Sequence, residues 1–225
     1  MDFNTPIKMP RSTHYGNNYY EVYSKKIGRI VRLFSNLEYA NYLTLEMNPN
    51  VVKFCEQPME ISISIEDKQV KAVFDFWVKY KDGNEEFQEV KYYEELNGND
   101  EKSIRSQEQI RREKTWCMKN NVNFSIRTDK QIYDGRFFIR NLEYLSAKVR
   151  RYIPYENNYY KSLIINHFKN LKHSTITELI NKELLPIGYE IDYIAYLYYN
   201  GIVNLNLKNR PIDKRTEVSL WQTNP

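Results

Sequence analysis

The hydrophobic positions in the first two thirds of the chain change between helical and strand spacing. Apolar residues recur three and four positions apart after Ser35, which predicts a helix that ends before Pro49. Strict alternation over residues 59–67 predicts a strand with one polar face. The predicted order is helix, strands, helix, strand, helix. Because a strand–helix–strand unit joins parallel neighbours, we expect an α/β domain with a mixed sheet flanked by helices.

The pattern changes after residue 153. Residues 159–172 are amphipathic, Thr175 and Glu178 form a capping box for the next helix, and a third helix ends at Gly201. A predicted hairpin follows, and three helices with a hairpin are typical of a winged helix. The sequence therefore predicts three regions: a basic and aromatic N-terminal arm over residues 1–23, an α/β domain over residues 24–153, and a winged-helix-like domain over residues 154–225.

Residues 70–93 predict a hairpin whose strands carry charges where a sheet prefers apolar side chains. Glu89 and Lys91 lie on one face, since side chains alternate along a strand. Asp75 shares that face only if the loop has an odd number of residues or a bulge is present. We expect a three-residue loop, Asp82 to Asn84, that places Asp75 opposite Lys91. A two-residue turn would put Asp75 on the other face.

These charges fit two kinds of structure. Two carboxylates on adjacent strands suit Mg²⁺, and a lysine beside them suits phosphate chemistry, either stabilising charge or deprotonating the attacking water. Asp75, Glu89 and Lys91 thereby follow the PD-(D/E)XK nuclease pattern. The alternative is a solvated hairpin with cross-strand ion pairs, worth about 0.2–1 kcal/mol each. Glu38 is a further candidate ligand, but Ser35 and Glu38 also have the spacing of a capping box.

The charge of the chain is concentrated near its N-terminus. The net charge is +4, and residues 1–36 hold six basic and two acidic residues interleaved with tyrosines. Cations with aromatic residues suit a nucleic-acid backbone, although a solvated basic edge has the same composition. The candidate DNA-binding residues are Lys25, Lys26, Arg29 and Arg32.

Composition also argues against other classes of protein. Cys55 and Cys117 stand alone, so we expect free buried thiols rather than a disulfide framework or a zinc site. No apolar run approaches the roughly 18 residues of a membrane span, and the first residues lack the apolar segment of a signal peptide. We expect a cytoplasmic protein with no membrane contact.

Six blocks of sequence, in order, resemble the TnsA family, the endonuclease subunits of heteromeric cut-and-paste transposases. The resemblance covers about Ser24 to Leu145, through SKKIGRIVRLFSNLEYANYL, NPNVVKFCEQP, FDFWV, GNEEFQEVKYY, NFSIRTDKQI and RNLEYL. It implies active-site roles for the residues that match the family's pattern, Glu38, Asp75 and Lys91. The position two before the lysine, often Gln in the family, is Glu89 here, and the usual Pro before the Asp is Phe74.

The resemblance implies a restriction-endonuclease-like mixed sheet flanked by helices and a Mg²⁺-dependent DNA endonuclease, with Mn²⁺ as a substitute. Glu38, Asp75 and Glu89 would hold the metal ion, Glu38 directly or through water, and Lys91 would orient or deprotonate water. The enzyme would cut the 5′ strand at transposon ends and leave 5′-phosphate and 3′-hydroxyl groups.

The implied partners are double-stranded DNA, an integrase-like (TnsB-like) transposase subunit, and an AAA+ (TnsC-like) regulator bound through the C-terminal domain. Nine basic and seven acidic residues from Arg151 onward favour protein contact for that domain. Two alternatives are a stand-alone restriction or anti-phage nuclease and a non-catalytic DNA- or protein-binding module.

Overall fold

A computed structural model describes residues 2–9, 18–65, 68–151 and 158–221, without the side chains of residues 64–68. Residues 1 and 10–17 of the predicted N-terminal arm, and the predicted boundary at residues 153 and 154, lie outside these ranges. The chain forms two compact units. Unit 1 comprises Met1–Leu45 and Asn50–Tyr133, and unit 2 comprises Glu46–Pro49 and Asp134–Pro225.

Unit 1 contains most of the helices and strands that the sequence predicts for the α/β domain. In chain order they are β1 (Tyr20–Ser24), β2 (Arg29–Leu33), α1 (Asn36–Met47, whose last residues belong to unit 2), β3 (Val51–Glu56), β4 (Glu60–Ile65), β5 (Lys68–Val73), β6 (Phe76–Tyr80), β7 (Glu85–Lys91), α2 (Tyr93–Asn97), α3 (Glu101–Lys119), β8 (Asn123–Thr128) and α4 (Asp129–Ile132).

A four-stranded mixed sheet forms the centre of unit 1, in the order β3-β6-β7-β8. Strands β6 and β7 are antiparallel, whereas β7 and β8 are parallel and joined through α3. The predicted mixed α/β architecture and its parallel crossover are therefore confirmed. Two separate antiparallel hairpins, β1–β2 and β4–β5, complete the strands of this unit.

Aromatic side chains form the core on the α3 side of this sheet. Phe74 stacks on Phe87 with ring centroids 4.4 Å apart, and Trp116 of α3 packs against both rings. Cys55 and Cys117 lie in the same cluster as free, buried thiols, as predicted. Burial raises the pKa of each thiol to about 12, so neither is a reactive thiolate at neutral pH.

Two features of unit 1 differ from the sequence prediction. The predicted single strand over residues 70–80 is two strands, because the chain leaves the β4–β5 hairpin at Phe74 and Asp75 before it joins the central sheet. The backbone carbonyl of Asp75 accepts a hydrogen bond from the Gln57 N–H at 2.9 Å, which fixes this crossing point. The β1–β2 hairpin was not predicted, and Gly28 allows its turn by adopting φ +67°.

Unit 2 is mainly helical with one small sheet. Its elements are α5 (Phe138–Arg151), α6 (Asn158–His167), β9 (Ser174–Thr175), α7 (Ile176–Asn181), α8 (Glu190–Tyr199), β10 (Val203–Leu205) and β11 (Glu217–Leu220). The three strands pair antiparallel in the order β10-β11-β9. The predicted capping box of Thr175 and Glu178 opens α7. Among the described residues, no helix combines the length and apolar character that a membrane crossing requires.

Unit 2 begins about twenty residues before the predicted domain boundary. Helix α5, assigned from sequence to the nuclease domain, packs on α8 instead. Its Asn141 amide donates to the backbone carbonyls of Leu207 and Arg210, both at 2.8 Å. These buried hydrogen bonds join α5 to the segment that follows β10, which explains why the division lies near Tyr133.

An ion pair ties β2 to the end of β3. The two outer nitrogens of Arg29 donate to the two carboxylate oxygens of Glu56, each at 2.6 Å. The Glu56 side chain is fully buried and that of Arg29 is 21% exposed. Removing one partner of such a pair leaves a buried charge without compensation.

Arg29→Gln should therefore lower the free energy of unfolding by about 2–4 kcal/mol. Arg32→Gln, on the same strand, is the matched control, because Arg32 forms an exposed ion pair with Glu21 and exposed pairs contribute little. The measurement is urea unfolding of both variants and the wild-type chain. Equal midpoints for Arg29→Gln and Arg32→Gln would contradict a structural role for the Arg29–Glu56 pair.

Candidate active site

The β6–β7 hairpin brings Asp75 and Glu89 to the same face of the sheet. The register runs from Phe76 opposite Gln88 to Lys79 opposite Glu85, so Asp75, one residue before β6, is level with Glu89. The predicted register, Asp75 opposite Lys91, is wrong by two residues. Because the shift is even, the predicted shared face is retained.

The loop of this hairpin explains the shift. It has three residues, Lys81 to Gly83, closed by a hydrogen bond from Tyr80 N–H to the Asn84 carbonyl at 2.9 Å. Gly83 takes the left-handed conformation with φ +86°. In the predicted loop, Asp82 to Asn84, that conformation would have fallen on Asn84. Glycine adopts that conformation without the steric cost of a Cβ, so the loop forms one residue earlier in the chain.

Glu89 is the most enclosed of the predicted site residues, with 1% of its surface exposed. Its Oε1 accepts hydrogen bonds from Lys91 Nζ and Gln109 Nε2, both at 2.8 Å. Its Oε2 is buried and has no partner among the described residues. Burial, followed by repulsion from Asp75 and Glu113, raises the pKa of Glu89 well above its ordinary value.

Asp75 and Lys91 complete the centre of the site. Asp75 Oδ2 accepts a hydrogen bond from Val90 N–H at 2.7 Å, and burial raises the pKa of its carboxyl. Burial disfavours the Lys91 ammonium, but the charges of Glu89 and Asp75 outweigh this effect and raise its pKa. Lys91 is therefore a protonated cation between two carboxyl groups.

Glu38 caps its own helix and also faces the site. Ser35 Oγ accepts from Glu38 N–H at 3.1 Å, as in the predicted capping box, while the Glu38 carboxylate accepts from Ser35 Oγ at 3.0 Å and from Phe34 N–H at 3.1 Å. It also faces the site, where burial and then repulsion from Asp75 raise its pKa to about 7. Glu38, Asp75 and Lys91 line one pocket of about 560 Å³.

Two residues of the site escaped the sequence prediction. Gln109 Nε2 bridges Glu89 Oε1 and Glu113 Oε1, at 2.8 Å to each. Glu113 is fully buried on α3, and its Oε2 also has no partner among the described residues. The feature of the sequence that could have identified Glu113 is its position as a charged residue in the apolar stripe of α3, between Ile110 and Cys117.

The donor set of this site fits a hard cation. Carboxylate oxygens are the ligands Mg²⁺ prefers, and it binds through one or two carboxylates with water and phosphate completing the shell. Asp75 and the unpartnered Glu89 Oε2 supply such a pair. Within the described ranges, no three His, Cys, Asp or Glu side chains are arranged around one metal position. The expectation that Glu38 completes a three-carboxylate shell directly is thus not met, and the route through water remains.

The four candidate DNA-binding residues are not equivalent. Arg29 is occupied by Glu56, so its predicted phosphate contact is inconsistent with its place in the fold. Lys26 Nζ donates to the Val51 carbonyl at 2.8 Å, and Arg32 is exposed beside Glu21. Lys25 also interacts within the chain. Of the four side chains, that of Arg32 is the most exposed. The predicted basic patch therefore offers fewer available cations to DNA than its composition indicates.

Residues 48–129 match the family model for the TnsA-like endonuclease N-terminal domain. The resemblance to the TnsA family is confirmed. The matched segment contains Asp75, Glu89 and Lys91 together with α3, whereas Glu38 lies before it. No curated protein matches the chain at a significant level. The TnsA-like segment therefore carries the central acidic pair, the lysine and the two α3 residues that contact them.

The buried carboxyl groups of the TnsA-like site make the stability of the fold depend on pH. The pKa of Glu113 is raised to about 7, chiefly by burial, from an ordinary value of 4.5. A carboxyl group with a raised pKa stabilises the fold while it is protonated, and this contribution is lost as the pH rises through its folded pKa. Without metal ions, the wild-type chain should therefore lose stability between about pH 5 and pH 8.

Glu113→Gln should have a higher free energy of unfolding than the wild-type chain at pH 8 in EDTA, by about 1–3 kcal/mol, and a similar one at pH 5, as measured by thermal unfolding. The amide oxygen retains the acceptor for Gln109. Glu108→Gln is the matched control, since Glu108 is half exposed on the same helix. A Glu113→Gln variant that is no more stable than wild type at pH 8 would show that Glu113 carries no buried charge.

Proposed function

We propose that the chain is a DNA endonuclease subunit of a transposase that uses Mg²⁺, or Mn²⁺ in its place, to cut the 5′ strand at transposon ends. The observation that carries the proposal is a pocket lined by Asp75 and Lys91, with buried Glu89 bound to Lys91 at 2.8 Å, within a segment that matches the TnsA-like endonuclease domain. Glu38 lines the same pocket.

Two of the alternatives, a solvated hairpin and a stand-alone restriction nuclease, have less support. A solvated hairpin would leave its charges in water, whereas Glu89 is buried with an unpartnered oxygen. Buried carboxylates are costly unless they are paired or bind a cation. A stand-alone restriction nuclease could share this pocket, but the family match favours a role in transposition.

Each residue of the pocket has a chemical role in the proposal. A bound divalent cation supplies Lewis-acid polarisation of the scissile phosphate and a lower pKa for water. Asp75 and Glu89 provide the oxygen ligands, and Glu38 orients a water molecule at the edge of the pocket. Gln109 holds the carboxylate plane of Glu89 through its hydrogen bond to Oε1. Cleavage by attack of water on phosphorus leaves a 5′-phosphate and a 3′-hydroxyl.

The structure favours one of the two roles predicted for Lys91. Its pKa is raised by Glu89 and Asp75, so the ammonium keeps its proton at neutral pH. A protonated lysine does not accept a proton from water, whereas it does stabilise negative charge that develops on the phosphate. We therefore assign Lys91 to charge stabilisation and water orientation.

Unit 2 would serve partner contacts in the same assembly. Helices α6, α7 and α8 followed by the β10–β11 hairpin support the winged-helix-like assignment. The nine basic and seven acidic residues from Arg151 onward support contact with protein rather than with DNA. The proposed partners are the integrase-like subunit and the AAA+ regulator, with double-stranded transposon ends as substrate.

Asp75→Ala should abolish Mg²⁺-dependent cleavage of transposon-end DNA, and Lys91→Ala should reduce its rate by about 10²–10⁴-fold. The control is Lys79→Ala, which removes a lysine from the same hairpin at its opposite end, where Lys79 pairs with Glu85. The assay follows 5′-labelled and 3′-labelled strands in the reconstituted transposase. Cleavage at the wild-type rate by Asp75→Ala would refute the active-site assignment.

A further inference from the structure

One exposed tyrosine lines the pocket that holds Asp75 and Lys91, and a second ends the short helix that follows the neighbouring strand β8. Tyr92 directly follows β7, lines the pocket and is 43% exposed. Tyr133, at the end of α4, is also 43% exposed. Large apolar rings left in water next to a site mark a surface that binds something.

The parallel pairing of β7 and β8 explains why these rings are neighbours. Lys91 is level with Thr128, so the residues that follow each strand emerge at the same edge of the sheet. Tyr93 N–H donates to Asp129 Oδ1 at 2.6 Å, which joins the start of α2 to α4. The pKa of the Tyr133 hydroxyl is raised by partial burial and then by the Tyr92 and Tyr20 hydroxyls.

Only some of the aromatic faces at this edge are free. Lys130 Nζ lies 3.3 Å from the ring centroid of Tyr93, and Tyr20 stacks on Tyr39 at 4.4 Å. Within the part of the chain that the structure describes, the rings of Tyr92 and Tyr133 have no ring or hydrogen-bond partner. These two rings are therefore the open aromatic surface beside the pocket.

The shape of the pocket limits what reaches its floor. Asp75 and Lys91 line this pocket and Glu89 is enclosed beside Lys91, so a phosphate must enter the pocket to approach them. The lining also includes Asn18, Asn36 and the Lys102–Glu95 ion pair, which an entering strand would pass. A strand drawn inward separates from its complement at that point, and each base that loses its stacking partner costs free energy. Aromatic side chains recover that loss, because every base has a π face.

We propose that Tyr92 and Tyr133 stack an unpaired base next to the scissile phosphate, so that the pocket takes a locally opened DNA strand in preference to continuous duplex. This inference rests on the proposed endonuclease function and adds the form of its substrate. The nearby ammonium groups of Lys102 and Lys130 favour a nucleic-acid occupant over an apolar protein segment.

The test compares binding of the full chain to two duplexes that differ only by one unpaired nucleotide, carrying 2-aminopurine, at the cut position. Ca²⁺ replaces Mg²⁺, since it binds oxygen ligands in a looser geometry. The wild-type chain should bind the opened duplex more tightly and quench the 2-aminopurine fluorescence. Tyr92→Ala should lose about 5- to 150-fold in affinity for the opened duplex, and Tyr92→Phe should retain it.

Tyr189→Ala is the control, because Tyr189 is 61% exposed in unit 2. Equal binding of both duplexes, or an equal loss for both in Tyr92→Ala, would overturn the stacking inference. If the wild-type chain still cleaves DNA in that case, the proposed endonuclease function stands. No binding or cleavage of either duplex by the reconstituted system would overturn both.

Discussion

Four carboxyl groups and one ammonium group are enclosed at one end of the central sheet, and their charges do not balance. Glu38, Asp75, Glu89 and Glu113 all have raised pKa values, and burial is the largest cause for each. Lys91 compensates only one of them. A folded protein tolerates such an excess if the groups bind protons or a cation. The packing of α3 on the sheet depends on this condition, because Gln109 joins Glu89 on β7 to Glu113 on α3.

Much of this site is predictable from strand geometry. Side-chain alternation places Glu89 and Lys91 on one face, and only an odd loop brings Asp75 to that face. The structure uses an odd loop, with Gly83 at the left-handed position instead of Asn84. The shared face is a robust prediction because side chains alternate with a period of two, so any even shift of register preserves it. The absolute register depends on which single residue takes the left-handed conformation. The mixed sheet and its crossover follow from element order in the same way.

Other features depend on contacts between residues far apart in the chain. Composition places Arg29 in a basic patch, but its pairing with buried Glu56 follows only from the packing of β2 on β3. Gln109 joins Glu89 to Glu113, and only the polar residue within the apolar stripe of α3 hints at this role. The division near Tyr133 depends on hydrogen bonds of Asn141 to a segment more than sixty residues later. Local patterns do not contain such long-range pairings.

The central claim is that Asp75 and Glu89 share a divalent cation in the folded chain. Anomalous diffraction from crystals soaked in Mn²⁺ tests it most directly, since the ion is located without reference to activity. The account predicts one peak at about 2.0–2.2 Å from an oxygen of each carboxylate, with Glu89 Oε2, unpartnered in the metal-free chain, as a ligand. An empty site after soaking, with Lys91 still bound to Glu89, would contradict the account.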